Sequence, residues 1–175
     1  SATLNLLKNT PGDSALIISD EIYVFGYPNQ PLEEILSKSN IIIYRPRSLV
    51  IGMGCRKGVE FEDLQELLVS SLSNLNLSPK SIRTIATADI KGEEPGLLAL
   101  AKYYNVPLTT YDTTQLNAVF ESGKYMISPS DSPLRLLGVG GVCEPAALLA
   151  SENTRLLMPK RKTDRATIAV ARMMF

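Results

Sequence analysis

No histidine occurs anywhere in the 175 residues. That absence removes Ser-His-Asp and Cys-His catalysis, imidazole metal ligation and a charge switch near neutral pH. Cysteine is scarce as well, with Cys55 and Cys143 in separate glycine-rich stretches. Two cysteines leave a structural zinc site short of ligands unless carboxylates fill it, so no metal site is expected. Free thiols in a cytoplasmic domain are the default expectation over a disulfide. Neither charge sign is in excess, because Lys+Arg and Asp+Glu both number 18. Such a balance does not suit a general polyanion binder, so nucleic acid is not an expected partner and any cationic patch is local. Long hydrophobic runs are missing too. Nothing approaches the ~18 consecutive apolar residues of a membrane span, and no basic-then-apolar leader opens the chain. Chemistry is left to Lys, Arg, Asp, Glu, Tyr, Cys, backbone amides, or the substrate itself.

What is present is ordinary for a globular protein: 45% apolar and 21% charged residues, in a length that suits one domain with an extra subdomain. The chain opens Ser1-Ala2 rather than Met, which suggests a processed or partial polypeptide. Residues 15–19 and 22–25 read as two short strands that form a hairpin, and 31–36 as a short helix with Pro31 in its first turn. Residues 41–44 (IIIY) read as a strand, which Arg45-Pro46-Arg47 breaks; a subdomain boundary is placed there. Residues 48–51 form the next strand and run into a loop holding Gly52, Gly54, Cys55, Arg56, Lys57 and Gly58. Phe61, Leu64, Leu67, Leu68, Leu72 and Leu75 then follow helical spacing. Further strands are expected at 82–86, 106–111, 155–158 and 166–171, and helices at 95–104, 115–120 and 146–151. Asp112 supplies an N-cap, and Lys160-Arg161-Lys162 a basic turn between the last two strands. Alternating strands and helices predict a three-layer α/β/α fold; the closing strand pair looks antiparallel, which makes the sheet mixed.

The Gly-x-Gly stretch looks like a relaxed dinucleotide fingerprint, with Arg56 and Lys57 to meet a phosphate. Glu60, Glu62 and Asp63 in the first turn of the following helix would repel a dianion there, and no Walker lysine pattern is present. Taken alone, the glycines ask only for a tight strand-to-helix connection. Lys91 with Glu93 and Glu94 reads either as a solvated ion pair or as a cation beside a carboxylate, able to hold an anion or assist proton transfer. Glu144 before Pro145 is an acid at a helix start. Cys55 and Cys143 read as small buried hydrophobes rather than nucleophiles. In an open α/β sheet the loops beyond one end of the strands form the usual crevice. Whether these loops share that end depends on topology.

As a set, LVIGMGCRKG, IATADIKGEEPGLLALA, GVGGVCEPAALLAS and LLMPKRKTDRATIAVA resemble, in order and spacing, the C-terminal domain of the cobalamin-biosynthesis CbiG family, a domain that also occurs alone as CobE. The resemblance covers residues 48–175; residues 1–47 resemble the tail of the family's middle region. It implies a cytoplasmic cobalt-precorrin-5A hydrolase, which opens a corrinoid lactone and expels acetaldehyde, with hydrolase activity belonging to the complete polypeptide. A CobE-like corrinoid carrier without catalysis is the alternative, and a nucleotide-dependent enzyme a third. Carried onto matching positions, the resemblance implies Lys91, Glu94 and Glu144 as catalytic candidates. It implies Gly52, Gly54, Cys55, Arg56, Lys57, Gly58, Gly138, Gly141 and Lys160 as substrate-binding ones. The expected partners are a corrinoid or precorrin intermediate and other corrin-pathway enzymes. No cofactor is expected, since any cobalt belongs to the substrate.

Overall fold

The computed structural model describes residues 15–22, 41–125 and 141–173. The expected strand residues 23–25, the helix 31–36, the turn-rich loop 128–133 and Gly138 lie outside them. The described residues form two sheets. The smaller pairs β1 (Ala15–Ile18) with β2 (Ile41–Tyr44) in parallel. The described partner of β1 is therefore β2, not the expected hairpin strand; Ile22 sits outside any strand, and Glu21 bridges to Leu77 instead.

The larger sheet has five strands: β3 (Leu49–Cys55), β4 (Ile82–Ala88), β5 (Leu108–Tyr111), β6 (Leu156–Lys162) and β7 (Ala166–Arg172), in spatial order β5-β4-β3-β7-β6. β3, β4 and β5 run parallel, while β7 is antiparallel to both β3 and β6. The sheet is mixed, as expected, and helices cover both faces. The first strand differs from expectation. It does not stop at Ile51 but continues through Gly52 and Gly54, with every residue from Leu49 to Cys55 in register with β7. Ladder pairing on both sides outweighs the poor strand preference of glycine.

The two faces of β3 carry side chains of different size. Leu49, Ile51 and Met53 join Ile85, Ile168 and Val170 beneath α1 (Phe61–Asn74) and α2 (Pro95–Tyr104). The buried leucines Leu64, Leu68 and Leu72 of α1 each contribute roughly 1.5–3 kcal/mol by leaving water. The opposite face carries Gly52, Gly54, Ala86, Ala88, Ala169 and Ala171, and receives α3 (Thr113–Glu121) and α4 (Cys143–Ser151). Small residues on both sides of that contact let α4 come close. A Cβ placed on Gly52 would sit 1.8 Å from the Cys143 carbonyl oxygen.

Local signals explain the helix limits. Asp112 accepts from the Gln115 amide at 2.8 Å while Gln115 Oε1 accepts from the Asp112 amide at 3.0 Å, a complete capping box for α3. Asn105, at φ 50°, ends α2, and the Val106 amide returns to the Ala101 carbonyl. The basic triplet is not a turn as expected: Lys160, Arg161 and Lys162 belong to β6, and the turn falls at residues 163–165. Register shifts after Leu156 and Met158 let β6 accommodate Pro159 and run longer than the apolar run implies.

The segment around residue 20 is fixed to the base of this sheet by charge. Asp20 is 5% exposed. Arg172 Nη2 donates to its Oδ1 at 3.0 Å, Arg172 Nε lies 2.9 Å from Oδ2, and Ser48 Oγ donates to Oδ2 at 2.6 Å. The Nε approach is a charge contact, not an aligned hydrogen bond, so Nη2 supplies the directed bond. Backbone bonds from Ser78 N to Asp20 O and from Ile22 N to Asn76 O complete the junction.

Candidate functional site

Because β3, β4 and β5 are parallel, the loops after Cys55, Ala88 and Tyr111 emerge at one edge of the sheet. The sequence left that point open, and the topology decides it. The loop after β3 carries Arg56 and Lys57, both exposed, and Gly58 at φ 72°, where a Cβ would meet nothing within 4 Å. The Arg56 amide donates to the Arg165 carbonyl at 2.9 Å, which anchors this loop to the turn between β6 and β7. The loop after β4 forms a short 3₁₀ turn (Asp89–Lys91) and delivers Glu94 to the start of α2.

The two loops meet through one carboxylate. Glu94 Oε1 pairs with Lys91 Nζ at 2.8 Å, and Glu94 Oε2 accepts the Gly58 amide at 3.0 Å. The Lys91 and Glu94 side chains keep 16% and 12% of their surface exposed. The Lys91 hydrogen bond, then the Gly58 amide, hold the Glu94 carboxyl below its usual range despite some opposing burial, with Lys57 adding a smaller pull. Burial pushes the Cys55 thiol up; Lys91 opposes that shift and Glu94 adds to it. Cys55, Lys57, Gly58, Lys91 and Glu94 thus share one neighbourhood. Thr87, on β4 immediately before this loop, has a buried hydroxyl with no hydrogen-bond partner among the described residues.

A second group lies across β3, at the start of α4. Glu144 Oε1 accepts the Lys160 amide at 3.0 Å. Lys160 sits between the two ladder pairings Met158–Val170 and Arg161–Ile168, where the bulge leaves its N–H off the ladder, and Glu144 satisfies that donor. Gly141 lies just before α4. Cys143 is 1% exposed, and burial raises its thiol to about 11 against the opposing hydrogen bond to Thr167. Thr167 Oγ1 also donates to the Gly54 carbonyl at 3.3 Å, so Gly54, the penultimate residue of β3, links this group to the Cys55 side.

The glycines have a different position from the one expected. Gly52 and Gly54 face α4 and the Val142 and Thr167 side chains within a buried layer. Neither offers surface to a ligand, and the Gly-x-Gly pair forms no phosphate cradle. Its chemistry is close helix packing. Sequence reasoning missed Thr167, Thr87 and the carbonyl of Arg165, since each acts through pairing between residues distant in the chain. It also missed a cleft of about 310 Å³ between α1 and the β6–β7 turn, whose lining includes Asp63, Glu66, Arg161, Asp164 and Arg165. That cleft carries mixed charge and its lining includes neither Lys91 nor Glu94, so the charged loops, not the cleft, define the candidate site. Among the described residues no group of three His, Cys, Asp or Glu side chains is placed to hold a metal ion, and no helix is long and apolar enough to cross a membrane.

Both thiols are free, and the structure orders their reactivity. Iodoacetamide at pH 7 is expected to label half-buried Cys55 slowly and to leave Cys143 unmodified until the chain is unfolded, as peptide mass spectrometry will read. Native labelling of Cys143 at the Cys55 rate would contradict the packing of α4.

The comparisons with known proteins agree with this architecture. The family described as Cobalamin synthesis G C-terminus matches residues 49–171. The chain is 34% identical to a cobalt-precorrin-5A hydrolase of Priestia megaterium over 139 residues, which is 79% of this chain and 36% of that protein. It is 32% identical to Protein CobE of a Sinorhizobium species, over 70% of this chain and 79% of that one. The crystal structure of CobE, a protein from the cobalamin (vitamin B12) biosynthetic pathway, superposes with a TM-score of 0.64 at 35% identity, covering 73% of this chain and 92% of that chain. The chain therefore spans about a third of the hydrolase relative and most of the CobE relatives. A five-stranded mixed sheet with charged loops at one edge, the match over 49–171 and these identities lead to one conclusion: this chain belongs to the cobalamin-synthesis CbiG family, by its C-terminal domain.

Proposed function

We propose that this chain is the corrinoid-holding part of a CbiG-type cobalt-precorrin-5A hydrolase, acting in the cytoplasm, where free thiols such as Cys55 and Cys143 persist. The observation that carries the reading is the meeting of Lys57 and Lys91 around Glu94 where adjacent loops adjoin at the strand ends, with exposed Arg56 next to Lys57 in the chain. A corrinoid intermediate is an apolar macrocycle edged with carboxylates, and separate cations on loops suit it better than a basic stripe would. Corrin-pathway enzymes that supply or take up the intermediate are the partners this reading implies. The cobalt travels with the substrate and no resident cofactor is invoked.

Lactone hydrolysis adds water to the acyl carbon, releases the ring oxygen as an alcohol and leaves a carboxylate. Loss of that alcohol's proton then lets the adjacent C–C bond break, freeing acetaldehyde while the macrocycle carbon takes up a proton. The Arg56 and Gly58 amides already donate to the Arg165 carbonyl and to Glu94, so the exposed Arg56 and Lys57 side chains are the groups suited to a developing oxyanion. A general base is harder to find. Glu94 is ionised but held by Lys91 and Gly58, and Glu144 is committed to the Lys160 amide. A good base at neutral pH has its pKa raised toward 7, the opposite of the direction found at Glu94. This favours a second reading, in which the domain binds the corrinoid in the manner of a CobE-like carrier and the remainder of a longer polypeptide supplies the base. Incubating the chain with cobalt-precorrin-5A separates them. Binding with acetaldehyde release supports catalysis by this chain, binding without it supports the carrier, and no binding removes both.

A further inference from the structure

A cation needed for an anionic ligand is ordinarily left open to it. Here Lys91 Nζ is already occupied at 2.8 Å by Glu94 Oε1, and both side chains are largely covered. The other oxygen of the same carboxylate fastens Gly58, next to exposed Lys57. We propose that Glu94 is an internal competitor for the ligand's carboxylate, holding Lys91 until a polycarboxylate displaces it and so setting the selectivity of the site. The inference rests on the reading of this edge as a carboxylate-binding crevice.

Selectivity follows from effective concentration. A carboxylate three residues from its cation in the chain competes as if present at millimolar concentration or above, so a free monocarboxylate does not displace it. A ligand already attached through other carboxylates at Arg56 and Lys57 brings its own group to Lys91 on equal terms. The site thereby rejects small acids and admits molecules that carry several carboxylates at macrocycle spacing. Displacement also frees the Gly58 amide. Gly58 stands at φ 72° in open space, so the 56–58 loop can readjust around the ligand without steric hindrance at that residue.

Glu94→Gln isolates the effect, because the amide oxygen still accepts the Gly58 N–H while the competing charge is gone. Titration calorimetry uses two probes, acetate and the polycarboxylate corrinoid cobyrinic acid. Cobyrinic acid is expected to bind Glu94→Gln about tenfold more tightly than the parent, the size of one charge-assisted contact. Glu93→Gln makes the same charge change at the exposed neighbour and is expected to shift affinity less than about twofold. Lys91→Gln weakens binding, and adding Glu94→Gln to it restores nothing. Acetate binds Glu94→Gln measurably and the parent not at all.

An unchanged or weaker affinity in Glu94→Gln overturns the proposal. So does an equal gain in Glu93→Gln, or a gain that survives loss of Lys91, since either reports net charge and not competition for Lys91. If no variant binds cobyrinic acid, the corrinoid reading falls. The acetate comparison still decides the competitor role, and failure of Glu94→Gln to take up acetate then removes that as well.

Discussion

Replacing Asp20 with alanine is expected to lower the unfolding free energy by about 3 kcal/mol, the lower part of the range for breaking a buried ion pair because the Arg172 side chain keeps 30% of its surface exposed. Asp20 receives Arg172 Nη2 and Ser48 Oγ from the adjoining ends of β7 and β3, so its loss strands a guanidinium and a hydroxyl together. Arg172→Ala leaves a carboxylate that is 5% exposed and has lost its Arg172 partner while keeping Ser48, and a loss of similar size is expected. Because the two substitutions remove one interaction, the double variant should lose much less than the sum. Urea denaturation of the three proteins measures this. Additive losses would mean that Asp20 and Arg172 act independently and that the junction is held by its backbone bonds alone.

The second large effect belongs to Gly52→Ala. Its new Cβ would lie 1.8 Å from the Cys143 carbonyl oxygen and 2.9 Å from Ala147 Cβ. The obstacle at Cys143 is backbone, which cannot rotate aside, so α4 must lift from the sheet and loosen its contacts with Ala169 and Ala171. A cost of about 3 kcal/mol or more is expected, at or beyond the upper end for overpacking a core. Gly58→Ala provides the contrast: it meets nothing within 4 Å and is expected to cost about 1 kcal/mol through its left-handed backbone. Thermal or urea unfolding of both variants separates the two causes. A Gly52→Ala protein as stable as Gly58→Ala would show that α4 does not need the close approach.

This pair also explains what could and could not be read at the candidate site. Gly-x-Gly beside Cys55-Arg56-Lys57 looks in one dimension like a loop for a ligand. Whether a glycine is required by a ligand or by a helix depends on what lies over it, and α4 comes from nearly a hundred residues further along the chain. The same holds for Glu144. Its position before Pro145 suggests a helix-start acid, but its partner, the Lys160 amide, exists only because β6 carries a bulge. Lys91 and Glu94 were legible as a local pair. That Gly58 completes it was not, since the loops adjoin only when β3 and β4 lie side by side.

The sequence by itself determined the α/β class, the positions of α1 and α2, the capping of α3 by Asp112, the antiparallel closing pair and the family, because periodicity, capping groups and ordered motifs are local or nearly so. The absence of histidine alone ruled out imidazole chemistry. Tertiary structure decided the rest. It extended β3 through its glycines, placed the basic triplet within β6, paired β1 with β2, and brought the loops after Cys55 and Ala88 to one edge. The physical reason is common to all four. Strand pairing and helix approach satisfy hydrogen bonds and fill space between residues far apart in the chain, and those demands override local preference wherever the two conflict.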